Sequence, residues 1–161
     1  MAPRTSQAKK PQEVTLVLER LYDAPRERVF AAWTRAEQLV RWWGPDGFTA
    51  HSCELDPRPG GIFRVCMRSP SGRDYWVDGI YREVEAPERL VITCAATDSR
   101  GIERLLEIIE VRFEKRGSRT RMVLNTTAGG PSAQAAAMLE GMEQGWAESV
   151  ERLTESLKKR K

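Results

Sequence analysis

The sequence has one histidine and three cysteines. With His51 alone, a metal site or catalytic group that needs several histidines is excluded, and any Cys–His or Ser–His pair must include that residue. Cys53, Cys66 and Cys94 are odd in number and widely spaced in strand-like contexts, which is typical of reduced thiols rather than of a disulfide framework or zinc site. We therefore predict no metal and no cofactor.

The sequence also lacks a long apolar run. No stretch approaches the roughly 18 consecutive apolar residues that a membrane-spanning helix needs. The N-terminus, with Arg4, Lys9, Lys10 and Pro11, has no hydrophobic signal region. We expect a cytoplasmic protein that does not insert into membranes.

The formal net charge of +3 comes from the two ends of the chain. Seven of the 26 Lys and Arg lie in residues 1–12 and 158–161, which hold no acidic residue. Residues 13–157 therefore carry 19 bases against 23 acids, a net charge of −4. Because a nucleic-acid surface needs Lys and Arg clustered on a folded face, we predict no binding to nucleic acid.

The segment from Ser132 to about Lys159 has the spacing of one long amphipathic helix. Its apolar residues recur at steps of three and four: Ala135, Met138, Leu139, Met142, Trp146, Val150, Leu153 and Leu157. The first half of this stripe also contains Gly141 and Gly145, each of which costs about 1 kcal/mol relative to Ala inside a helix. This half is either ordinary core with two unfavourable glycines or the wall of a cavity, and both interpretations stay open.

The preceding chain has mainly the two-residue period of β-strands. Residues 1–12 are polar and aperiodic, and we expect a disordered leader there. A first strand over about 13–22 is followed by two short helices, one beginning at Pro25 and one after the capping-box pattern of Thr34 and Glu37. Six further strands are predicted over about 48–56, 61–68, 74–85, 89–97, 104–115 and 119–127.

The predicted strands are joined by short connections, which require antiparallel neighbours. Because the chain has few helices, the sheet must curl around the last one so that both elements bury their apolar faces. We predict a single domain over residues 13–159 with an α+β fold. In it, a curved antiparallel seven-stranded sheet grips a long C-terminal helix, and two short helices follow the first strand.

Six short stretches carry a resemblance to a known family. In chain order they are Ala24–Phe30, Trp42–Pro45, Asp56–Gly61, Gly79–Val84, Pro87–Val91 and Gly141–Trp146. The chain resembles the START-like, or helix-grip (SRPBCC), superfamily, and within it the bacterial proteins named after the C-terminal domain of the activator of Hsp90 ATPase. The resemblance implies a deep cavity between the sheet and the last helix, used across the superfamily for lipids, sterols, polyketides and other apolar molecules.

Two titratable residues are candidates for acid–base chemistry. Glu107 has the strand parity of the apolar Ile109 and Val111, so an unbroken register would turn its carboxylate inward. A bulge or frayed end before Ile108 would instead leave Glu107 in solvent, and both possibilities remain open. His51 has the phase of Cys53, but nothing nearby indicates an activated thiolate, and we favour a structural or surface role for His51.

These observations predict a non-enzymatic cavity protein that binds an apolar or amphipathic small molecule (a lipid, polyketide or aromatic compound) as a homodimer. Alternatives are a cyclase, dehydratase or hydrolase using Glu107, with His51 or Tyr75 as a partner, and an interaction module for an Hsp90-type chaperone. The predicted ligand-binding residues are Trp33, Trp42, Phe63, Val65, Tyr75, Tyr81, Glu107, Met138, Met142 and Trp146.

Overall fold

The structure is a computed structural model that describes residues 12–97, 103–130 and 140–159. Seven strands and three helices follow one another in these residues. They are β1 (Gln12–Tyr22), α1 (Arg26–Thr34), α2 (Ala36–Leu39), β2 (Thr49–Leu55), β3 (Ile62–Arg68), β4 (Asp74–Glu85), β5 (Arg89–Thr97), β6 (Glu103–Arg116), β7 (Arg119–Gly130) and α3 (Met142–Lys159).

The element bounds follow the sequence periodicity closely. β4 and β5 have the predicted bounds, and β7 extends three residues beyond its predicted end to Gly130. The predicted leader, apart from Gln12, and the predicted start of the last helix, including Met138, lie outside the described residues. No helix within the described ranges is long and apolar enough to cross a membrane.

The seven strands form one antiparallel sheet in the order β1-β7-β6-β5-β4-β3-β2. Strands β2 to β7 form a meander, because each pairs with the next along the chain. Strand β1 closes the order by pairing with β7 over its whole length, from Gln12 opposite Gly130 to Tyr22 opposite Thr120. The predicted α+β class, strand number and helix positions are confirmed.

One face of the sheet, which we call the inner face, packs against the helices. Alternate residues of β6 and β7 are buried there, among them Ile109, Val111 and Leu124. Val150 and Leu153 of α3 are fully buried in the same core. The C-terminal half of α3 is therefore solid core.

The start of α2 differs from the prediction. The capping box does not form: α2 follows Arg35 without a side-chain cap, and the Thr34 hydroxyl donates to the Phe30 carbonyl at 3.0 Å. The adjacent Trp42 and Trp43 lie beyond the end of α2 at Leu39. Both side chains are buried.

A β-bulge in β2 changes the predicted position of His51. Ala50 pairs with Met67 and Ser52 with Cys66, so His51 is an extra residue between the two pairs. Such a bulge re-aims the side chains around it. The prediction that His51 shares a face with Cys53 is wrong, because its Nε2 lies 3.2 Å from Asp74 Oδ1 on the outer face.

Gly79 of β4 lies where the inner face leaves no room for a side chain. It pairs with Cys94 of β5. A Cβ at this position would lie 2.1 Å from the Thr93 carbonyl oxygen and 2.6 Å from the Cys94 Cβ. Any larger residue must therefore push two backbones apart.

We predict that Gly79→Ala lowers the free energy of unfolding by about 1–3 kcal/mol, as overpacking does. Gly145→Ala is the matched control, because its added Cβ would meet nothing closer than the Pro45 Cβ at 3.9 Å. Ala is also the better helix former, so the control should be neutral or stabilising by up to about 1 kcal/mol. Urea denaturation measures the free energy of unfolding of both variants. Equal effects of the two substitutions would contradict the close approach of β4 and β5 at Gly79.

Candidate ligand-binding cleft

A cleft of about 420 Å³ lies where α3 begins, between that helix, the loop after α2 and the inner face of the sheet. Its walls are largely aromatic and aliphatic, with one carboxyl group among them. The lining includes Trp43, Pro45 and Phe48 from the loop, Met67, Tyr75, Val77, Leu105 and Glu107 from the sheet, and Met142, Gly145 and Trp146 from α3.

The loop wall of the cleft is fixed to α3 by hydrogen bonds. Gly44 opens the loop with φ of +108°, a left-handed conformation that favours glycine, and its N–H donates to Ser149 Oγ at 3.2 Å. Arg152 Nη1 donates to three loop carbonyls, those of Gly44 at 2.9 Å and of Pro45 and Phe48 at 3.3 Å each. One guanidinium group thus holds the backbone that presents Pro45 and Phe48 to the cleft.

Glu107 is the only acidic residue among the described residues that line the cleft. Strand β6 pairs with β7 without a register shift, so the bulge that would have left Glu107 in solvent does not form. The carboxylate Oε2 accepts hydrogen bonds from Thr126 Oγ1 at 2.7 Å and Trp146 Nε1 at 3.0 Å. Glu107 therefore joins β6, β7 and α3 at the cleft.

Burial raises the pKa of Glu107 above its ordinary value, and the hydrogen bonds from Thr126 and Trp146 offset only part of that rise. No ion pair joins Glu107 to a basic residue in the part of the chain that the structure describes. The group is consequently neutralised more easily than an exposed glutamate. Both donors reach Oε2.

The cleft brings together four of the predicted ligand-binding residues: Tyr75, Glu107, Met142 and Trp146. Five others do not line it and are fully buried in the core instead: Trp33, Trp42, Phe63, Val65 and Tyr81. The four aromatic ones pack against other rings, with ring centroids 4.9 Å apart for Trp33 and Trp42 and 5.7 Å apart for Phe63 and Tyr81. Met138 lies outside the described residues.

Trp43 takes the place in the cleft that was predicted for its neighbour. The Trp42 indole is satisfied inside the core, since Nε1 donates to the Ala32 carbonyl at 3.0 Å. Trp43 instead lines the cleft and meets Trp146 edge to face at a centroid distance of 5.3 Å. The sequence does not distinguish the two residues, because α2 ends at Leu39, before both of them.

The fold is that of a helix-grip protein, with a cleft between its sheet and the start of its last helix. The chain belongs to the Activator of Hsp90 ATPase homolog 1-like family, whose sequence profile matches residues 23–158. This fold commonly forms ligand-binding cavities. A comparison with curated proteins found no match.

Solved bacterial structures share the fold over nearly the whole chain. A protein from Nitrosomonas europaea is 25% identical with a TM-score of 0.76, over 91% of this chain and 95% of that one. The AHSA1 protein from Silicibacter pomeroyi is also 25% identical, with a TM-score of 0.75 over 89% and 97%. A protein from Arthrobacter aurescens is 26% identical, with a TM-score of 0.75 over 91% and 87%.

The raised pKa of Glu107 predicts a specific pH dependence of stability. The folded protein holds this proton more tightly than the unfolded chain, so stability falls as the pH rises from about 4.5 through the folded-state pKa. Glu107→Gln has no such proton and keeps an oxygen for Thr126 and Trp146. Relative to the natural protein, it should gain free energy of unfolding at about pH 8 but not at about pH 4.

Urea denaturation at several pH values measures this difference. Glu88→Gln is the matched control, since Glu88 is exposed in the turn between β4 and β5. The control should follow the pH profile of the natural protein. Identical profiles for Glu107→Gln and Glu88→Gln would show that Glu107 is not buried as described.

Proposed function

We propose that this protein binds, without catalysis, a small apolar molecule that carries one neutral or positively charged polar group. The observation that carries the proposal is the Glu107 carboxyl group in the wall of a largely apolar cleft. The volume of about 420 Å³ falls within the roughly 300–1,000 Å³ of small-molecule sites. Such sites typically combine apolar walls with a few placed polar groups.

The apolar body of the ligand would rest on aromatic side chains. Trp43 and Trp146 form one wall, and the rings of Phe48 and Tyr75, 6.1 Å apart, lie at the half-buried rim. The hydrogen bond from Trp146 Nε1 to Glu107 fixes the orientation of that indole. A flat or chain-like apolar group could therefore bury itself against preformed surfaces at little cost in side-chain ordering.

The Glu107 carboxyl group would select the polar end of the ligand. When neutral it can donate or accept a hydrogen bond, and when ionised it can pair with an ammonium group. A ligand carboxylate would instead place a second negative charge beside it, with no basic residue of the described cleft lining to compensate. The site therefore favours amines, hydroxyls or carbonyls over carboxylates.

Gly145 supports a cavity rather than a tight helix–sheet contact. The nearest neighbour of a Cβ there would be the Pro45 Cβ at 3.9 Å, so no close approach requires a glycine. The missing side chain instead leaves space beside Pro45 in the cleft lining. The loss of helix propensity at this position is explained if that space is needed for a ligand.

In the enzymatic alternative, His51 was one of two residues proposed to act with Glu107. The bulge places His51 on the outer face, across the sheet from Glu107, so the two cannot act on one substrate. Tyr75 lies in the cleft lining, but no hydrogen bond joins it to Glu107 among the described residues. Homodimer formation and contact with an Hsp90-type chaperone stay predictions.

The selectivity can be tested with one apolar body and three polar groups. We expect Nile red to bind the cleft and to be displaced by naphthylmethylamine and naphthylmethanol. Naphthoate should be weaker than the amine by about tenfold or more, because of like-charge repulsion in a poorly solvated site. Equal displacement by all three compounds, or no binding of any, would contradict the proposal.

A second test fills the cleft directly. Gly145→Leu adds a side chain to the lining and should abolish the binding of Nile red. Glu151→Leu adds the same side chain on the exposed side of α3 and should leave that binding unchanged. Circular dichroism checks that both variants are folded. Unchanged binding by Gly145→Leu would place the ligand elsewhere.

A further inference from the structure

A second group of reactive side chains lies on the outer face of the sheet, across from the cleft. His51, Cys66 and Asp74 each offer one donor atom, and these nitrogen, sulfur and oxygen atoms lie within 4.8 Å of one another. We propose that these three residues bind a first-row transition-metal ion, with Zn²⁺ as the best fit. The proposal is independent of the cleft and its ligand, and it departs from the sequence-based prediction of no metal.

The fold assembles the three residues from three adjacent strands. The bulge in β2 turns His51 to the outer face beside Cys66 of β3. Cys66 pairs with Trp76, and Arg68, on the same face of β3, pairs with Asp74. The donors are thus brought together by strand register and not by a short sequence motif.

The donor types and distances suit zinc. A set of imidazole, thiolate and carboxylate matches a borderline-soft ion, whereas Mg²⁺ and Ca²⁺ prefer oxygen ligands alone. Tetrahedral zinc with standard bond lengths needs about 3.3 Å between its nitrogen and oxygen ligands and about 3.6 Å from sulfur to either. His51 Nε2 and Asp74 Oδ1 are already 3.2 Å apart, and the Cys66 thiol needs to move inward by only about 1 Å.

The burial of the three groups sets the position of the ion. Cys66 is fully buried, whereas the side chains of His51 and Asp74 are 33% and 38% exposed. The ion would reach the thiol between the two exposed ligands, and the thiol proton would pass to solvent as the metal–sulfur bond forms. Three protein ligands leave a fourth position for water or an exchangeable ligand.

Arg68 competes with the metal ion for the carboxylate of Asp74. Its Nε donates to Asp74 Oδ1 at 2.9 Å, the same oxygen that His51 contacts, and its Nη2 lies 3.4 Å from Oδ2. The ion would take Oδ1 and leave Arg68 with Oδ2. A nearby guanidinium charge also opposes cation binding, so removing it should strengthen the site.

The test uses the full chain, free of affinity tags and treated with a chelator. Titration with Co²⁺ should produce a sulfur-to-cobalt charge-transfer band that saturates at one ion per chain, and Zn²⁺ should remove the band. Isothermal titration calorimetry with Zn²⁺ then compares the variants. No charge-transfer band, or one that never saturates, would overturn the proposal.

Cys66→Ser and His51→Gln should each weaken Zn²⁺ binding by about tenfold or more. Arg68→Gln should strengthen it. Cys53→Ser is the matched control, because Cys53 packs against the core on the inner face and should leave binding unchanged. If Cys66→Ser does not fold, His51→Gln provides the test, because His51 is exposed. Unchanged Zn²⁺ affinity in that variant would refute the site.

Discussion

The hydrogen bonds that Thr126 and Trp146 donate to the Glu107 carboxylate are the interaction on which the cleft depends. They join two strands to the last helix at a point where the sheet and the helix do not pack solidly. A half-buried carboxyl group such as that of Glu107 would be unfavourable without such partners. With them, it becomes a fixed polar group in an apolar wall, and its pKa remains raised because burial outweighs both donors.

The last helix divides the interior into two parts. Val150, Leu153 and Leu157 fill the space under its C-terminal half and stabilise the fold. Met142, Gly145 and Trp146, one to two turns earlier, border the cleft. The residues that stabilise the core and those that border the cleft thus lie on different turns of one helix, which allows the cleft to vary in shape without loss of the core.

Much of the fold could be predicted from the sequence because strand alternation and turn residues are local signals. The bounds of β4 and β5 follow from these signals. Parity placed Glu107 inward only if no bulge preceded Ile108, and the register of β6 with β7 decides that question. The exchange of Trp42 for Trp43 in the cleft could not be predicted, since it depends on where the short helix ends. The position of His51 was missed because one extra residue in β2 reverses the face, and nothing in the sequence marks that bulge.

The most direct measurement is a crystal structure of the protein grown with naphthylmethanol. Our account predicts the naphthalene group in the cleft beside Trp146, with the hydroxyl group within hydrogen-bonding distance of Glu107. A structure in which side chains fill the space between α3 and the sheet, or in which the compound binds away from Glu107, would contradict it.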